Sequence, residues 1–205
     1  MSETNSGIDC LMLAAGKSTR MDCWKMTLPF GESTVVQQSV RRALEVSSRV
    51  VLVAGFRAAE LEALFAGREE VAVVVNPGYQ RGMFSSVQWG CRFVTGEAFF
   101  LALGDMPGVT AATYRALLDW NRRIAPALAP ESPAYALIPA FGGKKGHPLL
   151  LSEGMRERIL GFEGTGTLRE VLAGVPTMVI PLADRYVLQD IDTRADYLGL
   201  HGEGE

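Results

Sequence analysis

The residues best suited to chemistry lie close together near the N-terminus, in Leu13-Ala14-Ala15-Gly16-Lys17-Ser18-Thr19-Arg20-Met21, with Lys25 shortly after. Ala14, Ala15 and Gly16 carry little or no side chain, so a ligand can come close to the backbone. Successive N–H groups in such a turn can form an anion-binding concavity. Lys17, Arg20 and Lys25 add three cations, opposed locally only by Asp22. This chemistry suits a polyphosphate. The segment is neither the GxxxxGK[ST] loop nor the GxGxxG fingerprint. On residue types alone, an ordinary glycine turn with solvated charges fits it equally well.

Further along, Asp105 follows the apolar run Ala98–Leu103. A hard carboxylate at the end of a strand, beside phosphates, suits Mg2+; a turn or capping aspartate is the plainer reading. Gly82 permits close backbone approach, and Ser86 stands at the opening of a helix whose first N–H groups are free donors. Asn76 could face a bound base, although Asn76-Pro77-Gly78 is first of all a turn. His147 is one of two histidines, and a lone histidine is more often structural than catalytic. His201 in the tail reads as inert. Met83, Met106, Trp89 and Trp120 read as packing residues.

These residues need elements to hold them, and the chain alternates strand and helix signals. Ile8–Ala14, Arg49–Ala54, Val71–Val75 and Ala98–Leu103 are short apolar runs that read as buried strands. Thr34–Val46, Ala58–Phe65, Ser85–Phe93 and Thr110–Arg123 read as helices, the last with Thr110 as N-cap candidate. Such alternation implies parallel β-α units. Ala125–Pro133 has three prolines and reads as an exposed connection. Tyr135–Pro139 and His147–Leu151 read as strands around a Gly-Gly-Lys-Lys-Gly hairpin. One or two helices follow, then strands near Met178–Pro181 and Tyr186–Leu188 and a closing helix, Thr193–Leu198. The expected fold is a single three-layer α/β/α domain, 1–205, with a mostly parallel, Rossmann-like sheet.

The 205 residues include 48% hydrophobic and 21% charged residues, so disordered and disulfide-dense classes are excluded. A net charge of −3 argues against a broad nucleic-acid surface. Cys10, Cys23 and Cys91 form no CxxC pair and read as reduced, buried cytosolic thiols. There is no signal-peptide pattern and no apolar run near the ~20 residues needed to span a bilayer. A cytoplasmic protein with no membrane or nucleic-acid partner is expected.

Leu13–Met21 with Lys25 resembles the LAAGxSxRMG…K signature of the MobA-like nucleotidyltransferases, and most closely the molybdenum cofactor cytidylyltransferase branch. Support is spread along the chain: Leu28-Pro29-Phe30-Gly31, the GMxxS-like Gly82–Val87, Gly104-Asp105-Met106-Pro107, Gly146-His147-Pro148 and Asp190-Ile191-Asp192-Thr193. Asp22 stands where the family usually has glycine, and its carboxylate would oppose a triphosphate.

The resemblance implies transfer of a nucleoside monophosphate onto a phosphorylated acceptor with release of pyrophosphate. Leu13–Ser18, Arg20, Lys25, Asn76, Gly82, Ser86 and Asp105 would bind the nucleotide. Arg20, Lys25 and Asp105 would be catalytic, and Asp105 with Asp192 would hold Mg2+. Asp192 could equally be the start signal of the last helix. Residues 1–110 would form the nucleotide half. Residues 111–205 would form the acceptor half, with Gly146, His147 and Pro148 lining the acceptor. Ala15, as in the LAAG form, favours CTP over GTP. The resemblance implies molybdopterin as acceptor, with other acceptors such as phosphosugars or phospholactate left open, and transient contact to a molybdoenzyme or its chaperone. Two other readings are a nucleotide-sugar glycosyltransferase, suggested by the DxD pattern at Asp190–Asp192, and a nucleotide or pterin-cofactor binding protein without catalysis.

Overall fold

Strand β1 (Asp9–Leu13) is buried along its whole length and lies at the centre of the sheet. In this computed structural model, residues 7–18, 21, 23–126, 134–164 and 166–201 are described. β1 is followed by a small hairpin, β2 (Pro29–Phe30) and β3 (Ser33–Thr34), and by helix α1 (Val35–Leu44). Then come β4 (Arg49–Ala54), α2 (Ala58–Leu64), β5 (Val71–Val75), α3 (Met83–Gly90), β6 (Ala98–Leu103) and α4 (Ala111–Ile124). The second half supplies β7 (Ala136–Phe141), β8 (Lys144–Lys145), β9 (Leu149–Ser152), α5 (Glu153–Leu160), α6 (Leu168–Leu172), β10 (Thr177–Pro181) and α7 (Arg194–His201).

The main sheet runs β10-β7-β9-β6-β1-β4-β5, with β8 paired to the end of β7. β1 is parallel to both β4 and β6, whereas β9 is antiparallel to β6 and β7. The chain moves from β1 outward to β4 and β5, then crosses back to β6 on the other side. At that reversal the connections leave in opposite directions, and a crevice opens at the carboxyl ends of β1 and β6.

Strand alternation sorts the core into two layers. Met12, Leu52, Phe100 and Leu137 face α1, α2 and α4, in a cluster that includes Val36, Leu61 and Leu117. Leu11, Val51, Leu101 and Leu149 face α3, α5 and α6, with Val87, Met155 and Val171. The expected three-layer arrangement follows from this period of two.

Some expectations are corrected. Tyr186–Leu188 is not a strand. The Asp184 carboxylate accepts the Tyr186 N–H at 2.9 Å and so caps a 3-10 turn, Arg185–Leu188. Thr110 occupies the N-cap of α4 without a side-chain capping bond, because its hydroxyl donates to Asp184 at 3.2 Å. α3 starts at Met83, two residues earlier than expected, so Met83 is 66% exposed on its first turn rather than packed. Trp120 is also exposed, since Leu117 and Leu118 take the inward face of α4. Cys23 is exposed, while Cys10 and Cys91 are buried. Most of the Ala125–Pro133 connection lies outside the described residues, as does the tail beyond His201.

The end of the sheet opposite the crevice is held by one buried carboxylate. Asp9 accepts from Arg49 Nη2 at 2.7 Å, from the Thr95 N–H at 2.8 Å and from the Thr95 hydroxyl at 3.1 Å. It thereby ties β1, β4 and the turn before β6. Asp9→Ala should lower the unfolding free energy by about 2 kcal/mol, because Arg49 can still reach solvent but the Thr95 donors cannot all be replaced. Urea unfolding of the two proteins checks this, and an unchanged midpoint would contradict it.

Candidate active site

The loop after β1 leaves the sheet at the crevice. It is fastened from several sides: the Ala14 N–H donates to Val53 O, the Phe56 N–H to Ala15 O, and the Gly104 N–H to Leu13 O. The Trp24 indole N–H donates to Gly16 O at 3.1 Å, and the Lys25 N–H donates to Ser18 Oγ at 3.3 Å. Ser18 takes a left-handed conformation, φ 54°, at which the chain turns. A side chain on Gly16 would meet nothing within 4 Å, so the loop presents open backbone to the crevice. Lys17 is exposed, with Nζ 5.8 Å from the centroid of the Tyr79 ring. Arg20 and Asp22 lie outside the described residues.

The chain then brings Lys25 back into the crevice, where it is 7% exposed. Its ammonium lies 2.6 Å from Asp105 Oδ2 and 3.0 Å from Asp192 Oδ1. Burial alone would push this lysine below its ordinary range, but the two carboxylates outweigh it and hold the ammonium above that range. Asp105 is pushed up by burial; Lys25 offsets the rise only in part, and the charge of Asp190 adds to it.

Asp105 sits where β6 ends. Ser39 Oγ of α1 lies 3.0 Å from Gly104 O, and the Ile191 N–H donates to Asp105 O at 3.0 Å, so the backbone on both sides is fixed. Ile191 is fully buried, while Asp190 and Asp192 on either side of it are partly exposed and lie beside Asp105. One carboxylate oxygen from each of Asp105, Asp190 and Asp192 falls within 4.8 Å of the others. Asp105 Oδ1 is buried with no hydrogen-bond partner among the described residues. Such an orphaned acceptor costs about 1–3 kcal/mol unless something binds it. Three hard oxygens and an unused acceptor fit a divalent cation.

Asp190 was not singled out as a ligand from the sequence; the Asp-Ile-Asp alternation was the available signal. The alternative role for Asp192, starting α7, falls to its neighbour. Thr193 Oγ1 accepts the Asp196 N–H at 3.2 Å, and Asp196 accepts the Thr193 N–H at 2.7 Å, a reciprocal capping box. A cavity of about 530 Å³ lies beside this segment, lined by Asp190, Asp192, Thr193, Asp196 and Leu200 among others.

Asn76, Gly82 and Ser86 form a second group beyond β5. Asn76 is 1% exposed; its amide donates to Ser85 Oγ and Ser86 Oγ, both at 3.1 Å, and its Oδ1 accepts the Gly78 N–H. The buried Ser86 and Asn76 side chains are thus turned toward each other, and the open element is Gly82, with φ 103° and free space around it. Gly146, His147 and Pro148 form a third group. A Cβ on Gly146 would strike the Val187 carbonyl, and the His147 N–H donates to that same carbonyl at 2.9 Å. Burial lowers the His147 imidazole below its ordinary range, although Leu101 O and Asp190 pull the other way.

Lys25 is the counter-ion that lets these carboxylates face one another. Lys25→Met should cost about 2–3 kcal/mol of stability in chelated buffer, and millimolar Mg2+ or Mn2+ should restore part of the loss. Thermal melts with and without the cation check this; a variant indifferent to the cation would contradict it.

The MobA-like NTP transferase domain matches residues 10–179. The chain is 32% identical to the molybdenum cofactor cytidylyltransferase of Escherichia coli K12, over 94% of this chain and 95% of that protein. It is 28% identical to the nicotine blue oxidoreductase of Paenarthrobacter nicotinovorans, over 89% and 91% of the two chains. A solved nucleotidyl transferase from Methanothermobacter superposes with a TM-score of 0.79 at 22% identity, covering 97% of each chain, which is a likeness of fold. The match over most of the sequence places this chain in the MobA-like NTP transferase family.

Proposed function

We propose that the chain transfers CMP from CTP to the terminal phosphate of molybdopterin or a closely related cofactor and releases pyrophosphate. The observation that carries this reading is Lys25, buried between Asp105 and Asp192 in the crevice where the loop after β1 is open at Gly16. The cytidylyltransferase relative supplies the acceptor class and favours CTP. Ala15 is itself 9% exposed, and its methyl narrows the space next to the loop.

In this reading an acceptor phosphate oxygen forms a bond to the α-phosphorus, and the bond from that phosphorus to the bridging oxygen of the β-phosphate breaks. Positioning and charge neutralisation are the protein's main contributions. Backbone N–H groups of Ala15–Ser18 cradle the phosphates, Lys17 holds the outer ones, and Arg20 and Lys25 stabilise charge on the triphosphate and at the reacting phosphorus. Asp105, Asp190 and Asp192 would hold Mg2+, which supplies charge neutralisation on the triphosphate when bound. Asn76 holds Ser86 behind the base and ribose, with Gly82 at the open face. Residues 111–205 form the acceptor side, with Gly146–Pro148 braced on Val187.

No helix of the described residues is long and apolar enough to cross a membrane. Burial pushes the Cys91 thiol up to about 12 and raises Cys10 further, so neither of these two thiols is reactive.

Pyrophosphate release tests the reading. With CTP, Mg2+ and molybdopterin the chain should release pyrophosphate. Release of a nucleoside diphosphate would point to glycosyl transfer, and binding without turnover to a non-catalytic carrier. Asp105→Ala should still fold, with a lowered melting temperature because Lys25 keeps only Asp192 as a partner, yet lose at least a hundredfold in turnover measured well below that temperature, about 3 kcal/mol of barrier; near wild-type turnover would remove Asp105 from the mechanism. Titration calorimetry with Mg2+ should show CTP bound more tightly than GTP, and equal or reversed affinity would reject the base assignment while leaving the family intact.

A further inference from the structure

The two loops given the nucleotide meet at a residue that has so far no role. Tyr79 opens a 3-10 turn, Tyr79–Arg81, in the loop after β5. Its ring crosses to the end of β4 and lies against Gly55. A Cβ on Gly55 would stand 2.6 Å from Tyr79 Cγ and 2.9 Å from the methyl carbon of Ala15. The bare glycine therefore lets the Tyr79 ring and the Ala15 methyl pack on the same spot. The Lys17 ammonium lies over the ring, 5.8 Å from its centroid.

The ring is also well supported along the chain. The Tyr79 N–H donates to Asn76 O, and the Gly82 N–H donates to Tyr79 O. Asn76 is in turn anchored on Ser85, Ser86 and Gly78. Tyr79 thus links Ala15, the residue that narrows the first loop, to Gly82, the open face of the second. A rigid aromatic wall at that junction fixes how far apart the loops stand.

We propose that Tyr79 is a specificity-determining residue: its ring, braced on Gly55 and Ala15, sets the width of the base slot and restricts it to a pyrimidine. The proposal rests on the reading that CTP lies between these two loops. Removing the ring leaves room for the second ring of a purine. Discrimination by pocket size spans about 10- to 200-fold, so the effect is measurable.

The experiment compares kcat/KM for pyrophosphate release from CTP and from GTP in wild type, Tyr79→Phe, Tyr79→Ala and Gly55→Ala, with the melting temperature of each. Tyr79→Phe should keep the wild-type CTP-to-GTP ratio, since the hydroxyl plays no part. Tyr79→Ala should lower the ratio about tenfold or more, chiefly by a gain with GTP. Gly55→Ala should move the ratio the same way by pushing the ring aside, whatever its cost in stability. A ratio unchanged in Tyr79→Ala, or equal losses with both nucleotides, would overturn the proposal and leave the enzymatic reading standing. A wild type that uses CTP and GTP alike would overturn it as well. A wild type that releases no pyrophosphate from either would overturn both.

Discussion

A single buried ammonium holds the crevice together. Lys25 comes from the segment after the first loop, Asp105 from the end of β6, and Asp192 from a point 167 residues after Lys25. Taking three charges out of water is unfavourable unless each is closely compensated. Here the lysine does this for two carboxylates, and the charges can be buried only if the early loop, the central strand and the last segment arrive together. The pair therefore couples the two halves of the sequence, and it leaves an excess of negative charge, with one unpartnered oxygen on Asp105, where a cation would be stabilised.

The surrounding packing serves that convergence. Ser39 reaches from α1 to the Gly104 carbonyl, so the helix after the loop steadies the aspartate's backbone. Asp184 gathers the hydroxyls of Thr110 and Thr113 and caps the turn that leads to Asp190. Gly146 lets the hairpin of the second half press directly on Val187 in that same turn. The family likeness fits this economy. One relative is a cytidylyltransferase and another an oxidoreductase. Shared fold does not carry shared chemistry; what bears on the reaction is the loop, Lys25 and the aspartates rather than the sheet.

Most of the sheet was legible in the sequence because its strands are short, apolar and separated by helices of clear period. Arg49–Ala54, Val71–Val75 and Ala98–Leu103 fall where their valine and phenylalanine runs place them. The last third was harder. Tyr186–Leu188 carries the composition of a strand, and only the capture of its N–H by Asp184 makes it a turn. α3 begins at Met83 because Gly82, at φ 103°, provides the break that Ser85 had suggested. In the candidate site, the small-residue loop after β1, Lys25 and Asp105 stood out by residue type and position. The ion pairs among Lys25, Asp105 and Asp192 were not, since nothing in a linear pattern links residues so far apart. Asp190 showed only as part of the Asp-Ile-Asp pattern, and Tyr79 was hidden because its packing depends on a missing side chain at Gly55, just beyond β4.

The central claim is that the triphosphate lies on Ala14–Ser18 with a divalent ion among the three aspartates. A crystal structure with a non-hydrolysable CTP analogue and Mn2+, read by anomalous scattering, tests it most directly. The account predicts one manganese peak bound by Asp105, Asp190 and Asp192, with the phosphates over Gly16 and the cytosine beside Ala15 and Gly82. Nucleotide bound elsewhere on the sheet, or manganese absent from the aspartates while the nucleotide is fully occupied, would contradict it.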